Sequence, residues 1–443
     1  MLDHHLDQRS AGQQRPAVPA QSTVSARSHA ENFVRWSVVL LGCSIPVSVA
    51  ADNILLAFIL ACWIFGGGYR EKIAALLANP VALAALALFA LYLAGTLYTI
   101  GTEPEVTTTL SKASRLLLIP ALMPLMREEK WRRRGIIAFQ GSMVVSLLLS
   151  YLIWFGAAPV GLGLKGIELD PVAFKAHITH NVFMAFAAFL FALAAVEAKT
   201  LRGRSVAALL CVAAMANVLV MVPGRTGHIV LLVLFTYFLY LQLRAKGFAV
   251  AALALCALAA VVFASPETML HKRITLAEDE LQQLRPGVPP ELNSSIGQRL
   301  AILRNTLEVI RDNPVFGVGT GGFGTAYAAL ANRTGDAPTT NPHNEFLMII
   351  AQFGIAGLVL LLCVFGTQWW MAARLAGRFD QAAARGFVLT MVVASILTST
   401  LIDHAEGLFF AYMSGLLFAG YDGEWRRRAP GAARDRGSGA AAR

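Results

Sequence analysis

Two short stretches decide how this chain is organised: Asn313-Pro314-Val315-Phe316-Gly317-Val318-Gly319 and, after a polar interval, Asn341-Pro342-His343-Asn344-Glu345-Phe346-Leu347. They lead directly into an apolar run that passes through Gly354 and Gly357. The residues before them predict an amphipathic helix, because apolar side chains recur at helical spacing at Leu300, Leu303, Leu307 and Ile310. Asn313-Pro314 is expected to end that helix, and the glycines between 317 and 324 predict a flexible or tightly turned segment. We therefore expect a polar loop built directly onto a membrane helix.

The composition is that of a membrane protein. The 443 residues are 56% hydrophobic and 14% charged, and their mean hydropathy is +0.58, whereas a soluble domain carries about 25% charged residues. We predict an all-α, polytopic membrane protein. The net charge of +10 would suit nucleic acid, but most basic residues fall in short loops between apolar runs. That distribution argues against a nucleic-acid partner and leaves membrane lipids as the surroundings.

The apolar runs predict about twelve transmembrane helices, since a span needs roughly 20 residues. The second run is short and two connections are tight hairpins, so the number is open by one or two. The predicted spans are 34–51, 53–68, 80–100, 109–126, 135–156, 178–197, 204–222, 227–243, 248–265, 344–371, 385–402 and 405–421.

Lysine and arginine are concentrated in alternate loops, which predicts that both termini are cytoplasmic. The predicted division of the chain is a disordered tail at 1–32, spans one to nine at 33–265, an external loop domain at 266–343, spans ten to twelve at 344–422 and a basic tail at 423–443. The loop of about eighty residues is too long for a simple connection and is expected to be helical and functional.

Four basic residues are predicted at the external ends of the spans: Lys112, Arg115, Arg225 and Arg299. Arg299 falls in the first turn of the predicted loop helix, where the helix dipole favours an anion over a cation. Lys112 and Arg115 lie one turn apart and share a face. Each residue alone could instead extend to lipid head groups, but charge near a membrane points to function. Their position on one side favours a shared anion-binding site.

His343 is the strongest candidate for a general base. It opens span ten at the external surface, next to Asn344, and an ordinary imidazole titrates near pH 6.5, which suits a base. Nearby arginines are expected to keep it neutral. A single histidine is more often a hydrogen-bonded core residue, and His180 is a weaker candidate, as is His404 in the last external hairpin with Asp403 and Glu406.

The sequence gives little support to a metal or nucleotide site. The run Glu278-Asp279-Glu280 does not converge on a helix and is best interpreted as a solvated face, and the five cysteines all lie in apolar runs without metal-ligand spacing. The glycines at 317–324 lack the Lys-Ser/Thr pair that completes a phosphate-binding loop. No cofactor is therefore predicted.

Several of these motifs together resemble the O-antigen ligase/polymerase superfamily. The residues that carry the resemblance are Arg225-Thr226-Gly227, Gln298-Arg299, Asn313-Pro314-x-x-Gly317-x-Gly319-x-Gly321-x-Phe323, and His343-Asn344-x-x-Leu347 leading to Gly354-x-x-Gly357-Leu358. The likeness covers the topology of nearly the whole chain, and the sharpest motifs lie in 297–358. They are less specific for which member of the superfamily this is.

The resemblance implies a twelve-span enzyme of the bacterial inner membrane, with a large periplasmic loop between spans nine and ten. Such enzymes move a glycan from undecaprenyl diphosphate to an acceptor without a metal, and in the ligases the acceptor is the lipid A–core oligosaccharide of lipopolysaccharide. The two arginines and the histidine that are essential in the ligases match Arg225, Arg299 and His343. Lys112 and Arg115 match more loosely, and Asn344, Gln298 and His180 are supporting candidates.

The implied chemistry fits this set of side chains. Arginines bind phosphate oxygens in pairs and remain charged, so they suit a departing diphosphate. Direct displacement by a sugar hydroxyl needs one base, His343, which predicts inversion at the anomeric carbon. A retaining mechanism uses two close carboxylates, and the sequence suggests no such pair.

Three alternatives remain beside an O-antigen ligase. A repeat-unit polymerase tends to spread its external charge over two large loops, and here one loop is large. A protein O-oligosaccharyltransferase often carries an added external domain. A membrane transporter would place charges near the middle of the bilayer rather than at one surface. The sequence does not identify the glycan, the acceptor hydroxyl or the oligomeric state.

Overall fold

The fold is known from a computed structural model that describes residues 21–157, 166–167, 170–264 and 295–421. These residues form helices and turns and include no β-strand. The α-helices are α1 (Gln21–Ser44), α2 (Val49–Phe65), α3 (Tyr69–Leu77), α4 (Pro80–Ala94), α5 (Glu103–Ala113), α6 (Leu118–Leu122), α7 (Glu129–Trp154), α8 (His177–Glu197), α9 (Leu201–Ala216), α10 (Arg225–Leu243), α11 (Lys246–Ala264), α12 (Ser295–Asp312), α13 (Phe323–Thr334), α14 (Glu345–Ala372), α15 (Arg378–Leu397) and α16 (His404–Leu417).

Seven helical segments are long and apolar enough to cross a membrane, which confirms the all-α, polytopic fold. They are Pro80–Leu97, Glu129–Trp154, His177–Glu197, Leu201–Met221, Arg225–Leu243, Glu345–Ala372 and Arg378–Leu397. Helices α2 and α3, bent by 111° at their junction, could together form an eighth. Helices α1, α11 and α16 coincide with further predicted spans, and the total of about twelve stays a prediction.

Two predicted segments differ from the structure. The run predicted as one span at 109–126 is broken, because α5 ends at Ala113 and a 3₁₀ turn precedes the short α6. The polar residues of α5 cannot enter hydrocarbon at low cost, so this helix follows the polar surface instead. Of the predicted disordered tail at 1–32, residues 21–32 lie in α1, which begins at Gln21, because a helix once nucleated extends easily through Ala, Arg and Glu; residues 1–20 lie outside the described residues. The predicted helix at 268–285 and the tail at 423–443 lie outside the described residues.

The long helices alternate in direction between two ends of the bundle. Contacts between residues that are distant in sequence identify these two ends. At the first end, called here the basic end, Arg35 pairs with Glu128 at 2.9 Å, and the Asn79 amide donates to the Phe418 carbonyl at 3.0 Å. At the second end, called here the site end, α2, α8, α10, α14 and α16 begin. The guanidinium of Arg132, which follows Glu128 by four residues, lies against Gly420, so the residues near Arg35 and near Phe418 lie at the same end of the bundle.

Helix α8 forms the centre of the bundle, with 78% of its most apolar window buried. Its phenylalanines pack against α7, α15 and α16. Phe183 and Phe409 have ring centroids 4.5 Å apart, and Phe139 and Phe387 are fully buried beside Phe409. Such aromatic pairs stabilise a helix bundle by dispersion and ring electrostatics as well as by shape. This packing fixes the first residues of α8 and α16 relative to each other at the site end.

Helix α14 is interrupted at Gly354, whose φ of 59° and ψ of −151° are not helical. The interruption frees the carbonyls of Ala351 and Gln352, and buried free carbonyls are costly. The loop after α12 satisfies them, because Val318 N–H donates to the first at 2.9 Å and Gly319 N–H to the second at 2.8 Å. The predicted turned segment, called here the glycine loop (residues 313–321), is therefore a series of turns whose backbone N–H groups complete the bonding of a broken membrane helix.

The glycine loop also binds the end of α4. The Thr320 hydroxyl donates to the Tyr92 carbonyl at 2.6 Å, and Ile100 N–H donates to the Val318 carbonyl at 3.1 Å. Glycine is required at 317, where φ is +66° and a Cβ would stand 2.3 Å from the Gln352 carbonyl carbon. The loop thus joins α4, α12 and α14 into one unit that carries the site.

Candidate active site

His343 lies in a fixed turn immediately before α14. Its backbone N–H donates to the Asn341 side-chain oxygen at 2.8 Å, and the Ser399 hydroxyl donates to the same oxygen at 2.7 Å. Its φ of 54° is in the left-handed region, which few residues other than glycine adopt and where histidine is among those enriched. The side chain is exposed, so the backbone is held while the imidazole faces outward.

Asn344 supports this turn as the N-cap of α14. Its side-chain oxygen accepts from Leu347 N–H at 3.0 Å, and its side-chain nitrogen donates to the Ile396 carbonyl at 2.8 Å. A capped helix start has little freedom. The amide therefore fixes His343 through the backbone, and both of these contacts are structural.

The Arg299 guanidinium acts on the His343 imidazole. Burial lowers the pKa of His343 from its ordinary value of 6.5, Arg299 lowers the pKa further, and Asp403 opposes both. The imidazole is consequently neutral at pH 7, the form that a general base needs. The structure thus brings together two residues that are 44 positions apart in the sequence.

Arg299 is exposed in the first turns of α12, and Gln298 is exposed beside it. Contacts further along α12 hold this helix in place. The buried Asn305 amide donates to Asp336 at 2.8 Å, and Val309 packs with Tyr327 and Met348 in a small apolar core between α12, α13 and α14. The position of Arg299 is therefore set by a packed helix.

A cleft of about 450 Å³ opens next to the turn that holds His343; Asn341 of that turn lies in its lining, whereas His343 and Arg299 do not. It runs between α5, the glycine loop, the residues before α14 and the hairpin between α15 and α16. Its lining is mixed, with hydroxyl, amide, carboxylate and ammonium groups next to apolar carbons: Pro104, Glu105, Thr108, Thr109, Lys112, Gly321, Phe323, Gly324, Thr340, Asn341, Met348, Gln352, Ile402 and Asp403. Such a lining can bind a polyhydroxylated molecule through hydrogen bonds and ring contacts.

The Asp403 carboxyl group interacts electrostatically with Lys112, Arg115 and His343 around the cleft. Burial raises the pKa of its carboxyl group, and Lys112, His343 and Arg115 each oppose that rise. Arg115 contacts the same hairpin directly, since its Nη1 donates to the Asp403 carbonyl at 2.8 Å and its Nη2 lies 3.0 Å from His404 Nδ1. Four predicted site residues, Lys112, Arg115, Arg299 and His343, therefore share one electrostatic environment.

Arg225 lies at the site end but is not joined to this group. It is the first residue of α10 and is exposed. The glycines on either side of it, Gly224 and Gly227, pack against Asn181 of α8. No hydrogen bond or ion pair links Arg225 to His343 or Arg299 within the residues that the structure describes.

His180 is held inside the bundle. Its Nε2 lies 2.9 Å from the Asn217 side-chain oxygen, and the Asn217 side-chain nitrogen donates to the Ser150 hydroxyl at 2.7 Å. The ring is 5% exposed. These contacts join α7, α8 and the end of α9, so the structure gives His180 a packing position and does not bring it to the cleft.

The importance of Asp403, Asn341 and Glu105 is not evident from the sequence alone. In the sequence Asp403 stands beside His404, and no local pattern relates its hairpin to α5 or α12. Asn341 is part of the quoted motif, but its bonds to His343 and Ser399 depend on the fold. The capping box that Glu105 forms with Thr102, together with Pro104 in the first turn, is the kind of signal that marks the start of α5.

Comparison with known families gives one match that bears on this site. A model of the O-antigen ligase family matches residues 210–362, which include Arg225, Arg299, the glycine loop and His343 but neither α5 nor Asp403. Comparison with curated proteins gives no match. Over residues 210–362 the chain is therefore similar to the O-antigen ligase family, whose members are glycosyltransferase-like membrane enzymes that act on lipid-linked glycans, and the match supports the predicted O-antigen ligase/polymerase superfamily.

Proposed function

We propose that this protein is an O-antigen ligase that transfers a polysaccharide from undecaprenyl diphosphate to lipid A–core oligosaccharide, inverts the anomeric carbon and needs no metal. The observation that carries the proposal is the pairing of a neutral His343 with Arg299 beside a polar cleft that also contains Lys112 and Asp403. A base next to fixed positive charge is the set of groups that displacement of a diphosphate requires.

In the proposed reaction, the imidazole of His343 removes the proton from the acceptor hydroxyl as its oxygen attacks the anomeric carbon. The bond from that carbon to the diphosphate oxygen breaks, and the electron pair leaves with the diphosphate. Arg299, Arg225, Lys112 and Arg115 are the groups that we assign to its negative charge. Guanidinium groups suit this role because their paired N–H donors match phosphate oxygens.

Asp403 has a supporting role in this scheme. When His343 takes the proton it becomes positively charged beside Arg299, which is unfavourable. Asp403 raises the pKa of the same imidazole, whereas Arg299 lowers it. Its carboxylate thereby stabilises the imidazolium that forms as the acceptor is deprotonated.

A single displacement suits the carboxylates of the cleft. Retention needs one carboxylate as nucleophile and a second as acid and base. Glu105 is engaged already, since its Oε2 accepts from Thr102 N–H and from the Thr325 hydroxyl, both at 2.8 Å. The Asp403 carboxyl group is likewise engaged, by Lys112, Arg115 and His343. We therefore propose inversion without a covalent glycosyl-enzyme.

We further propose that the site end faces the periplasm and that both termini are cytoplasmic. The basic residues of the short loops support this orientation, because they gather at the opposite end, as expected for the cytoplasmic side of an inner-membrane protein. The division into spans 33–265 and 344–422 with a loop domain at 266–343 belongs to the same proposal.

The test is reconstitution of the transfer. The purified full chain is mixed with an undecaprenyl-diphosphate oligosaccharide and lipid A–core in the presence of EDTA, and the joined glycolipid is measured. A product of inverted anomeric configuration is expected. Elongation of the donor glycan without transfer to lipid A–core would favour a polymerase, transfer to a pilin-like protein would favour an oligosaccharyltransferase, and loss of activity in EDTA would contradict metal independence.

A further inference from the structure

A second group of ionisable side chains lies behind Arg115, at the site end but outside the cleft. Its members come from four separate elements: Asp52 from α2, Lys175 from the segment before α8, His404 from α16 and Arg115 from the turn after α5. Asp52 is fully buried. Charged groups at such a position are costly unless they are paired, and by default they point to function.

The contacts within this group form a chain that ends on Arg115. The Ser44 hydroxyl donates to Asp52 Oδ1 at 2.6 Å. The other carboxylate oxygen, Oδ2, faces His404 Nε2 at 3.9 Å and Lys175 Nζ at 3.9 Å. On the other side of the His404 ring, Nδ1 lies 3.0 Å from Arg115 Nη2.

The geometry fixes the protonation state of His404. A guanidinium only donates hydrogen bonds, so Nδ1 must be the unprotonated acceptor. The proton of the neutral ring is then on Nε2, which faces the Asp52 carboxylate. A doubly protonated ring would place two N–H groups against each other and two positive charges side by side.

A glycine provides the space for this arrangement. A Cβ at Gly407 would lie 2.5 Å from the Leu401 carbonyl oxygen and 3.3 Å from Arg115 Nη1. Arg115 therefore rests against bare backbone, where the Asp403 carbonyl takes one N–H and His404 another. Because arginine has five N–H groups, the remaining donors stay available for a ligand.

From these contacts we infer that Asp52 and His404 are positioning residues, which hold the Arg115 guanidinium in the orientation that receives the donor diphosphate. The inference depends on the proposed function, in which Arg115 binds the donor. The charge of Asp52, which lies 3.9 Å from Nε2 and beyond hydrogen-bond distance, favours the tautomer with its proton on Nε2, and neutral His404 orients Arg115. Protonation of His404 removes the acceptor, so donor binding weakens as the pH falls.

All charged groups around the imidazole enter this pH dependence. Arg115 and Lys175 disfavour its protonation, whereas Asp52 favours it. On its own segment, Asp403 and Glu406 are the neighbouring carboxylates, and Glu406 accepts from the Thr179 hydroxyl at 2.5 Å. Neutralising Asp52 should therefore move the weakening of donor binding to lower pH.

The experiment measures donor KM and kcat from about pH 5.5 to 8, the range in which histidine titrates, with the full chain, an undecaprenyl-diphosphate oligosaccharide and lipid A–core. In the unmodified protein, donor KM should rise at acid pH. His404→Phe keeps the ring shape without an acceptor and should raise donor KM by about tenfold or more at neutral pH, as expected for loss of a hydrogen bond to a charged group.

Two conservative variants separate positioning from a merely structural role. In His404→Asn the amide oxygen can accept from Arg115 in place of Nδ1, so most of the donor affinity should return while the acid rise in KM disappears. In Asp52→Asn the acid rise should move to lower pH. His177→Asn is the matched control, because His177 also begins a helix at the site end and faces a carboxylate, Asp170, at 3.4 Å; its donor KM and pH profile should not change.

The outcomes are distinguishable. If the unmodified protein transfers no glycan, the proposed function fails. If it transfers glycan but His404→Phe has an unchanged donor KM, or His404→Asn keeps the acid rise, the positioning role is wrong and the proposed function stands. Should His404→Phe fail to fold, as judged by thermal unfolding, His404→Asn and Asp52→Asn alone decide the question.

Discussion

The two ends of the helix bundle both carry positive charge, but the charges have different partners. At the basic end several arginines have partners within the protein. Arg133 lies 3.7 Å from Glu197, and Arg132 lies 3.6 Å from Asp380. Others stack on aromatic rings, as Arg134 does 4.6 Å from the Trp131 centroid. At the site end, Arg225, Arg299 and Lys112 form no ion pair within the described ranges of the chain.

The difference separates anchoring from binding. Arginine over tryptophan, and arginine beside a carboxylate, are the arrangements expected where a helix end meets the lipid head groups. Cations that are held by backbone packing, but that lack a carboxylate at contact distance, can still interact with an added anion. The contrast predicts that mutations at the basic end alter stability and that mutations at the site end alter substrate binding and turnover.

The largest effect is expected at His343. His343→Ala should lower kcat by about 10²–10⁴-fold, the usual contribution of a general base, while leaving donor binding measurable. Because alanine adopts φ of +54° poorly, His343→Asn is the better-matched variant, since asparagine tolerates that conformation. Single-turnover transfer and donor binding are measured on the same sample, and wild-type turnover in His343→Asn would contradict the assignment.

Removal of Arg132 should act mainly on stability. Its side chain is 11% exposed, and its loss leaves Asp380, 21% exposed, without its partner. Breaking such a pair should lower the free energy of unfolding by about 3 kcal/mol, the lower limit for buried pairs. Denaturant unfolding in detergent measures the change. A normal free energy of unfolding with a raised donor KM would reverse the distinction between the two ends.

Arg299→Ala should have the opposite profile. Donor affinity should fall by about tenfold or more, as expected for a lost charge-assisted hydrogen bond, with little change in the unfolding temperature because the side chain is exposed. Arg133→Ala at the basic end is the control, since it removes an exposed arginine of an ion pair and should leave donor KM unchanged. Equal effects of the two substitutions on donor KM would show that the two ends of the bundle do not differ in donor binding.

The smallest effect is a shift in the pH profile of kcat. In the proposed reaction the neutral imidazole is the base, so activity should be full above the pKa of His343 and should be lost as the pH falls through it. Burial and Arg299 place that pKa below 6.5. Arg299→Gln removes one of the two causes and should move the acid loss of kcat to higher pH. No movement, or movement to lower pH, would show that Arg299 does not act on this imidazole.

The sequence predicted local features well and the partners of those features poorly. The end of α12 at Asn313-Pro314, the glycine turn and the opening of α14 at His343 follow from backbone constraints that neighbouring residues impose. Nothing local indicates that Val318 and Gly319 bond into a broken α14, because that pairing is made by the fold. Helix α5 differs from the predicted span for a related reason: its last residues, 109–113, run directly into the apolar segment that follows.

The candidate site shows the same division. His343, Arg299, Lys112 and Arg115 could be proposed from residue type and position near a membrane surface. Asp403 could not, since an isolated aspartate in a hairpin resembles any solvated turn. Its role depends on burial and on Lys112, Arg115 and the His343 imidazole, which come from two other parts of the chain.

The interruption at Gly354 has a consequence for protein engineering. Since α14 depends on backbone donors from residues 313–321 to complete its own bonding, a chimaera that grafts a foreign loop between α11 and α14 would leave polar carbonyls bare within the bundle. Exchange of acceptor preference between relatives should therefore succeed only when the glycine loop, the end of α4 and the first half of α14 are transplanted together.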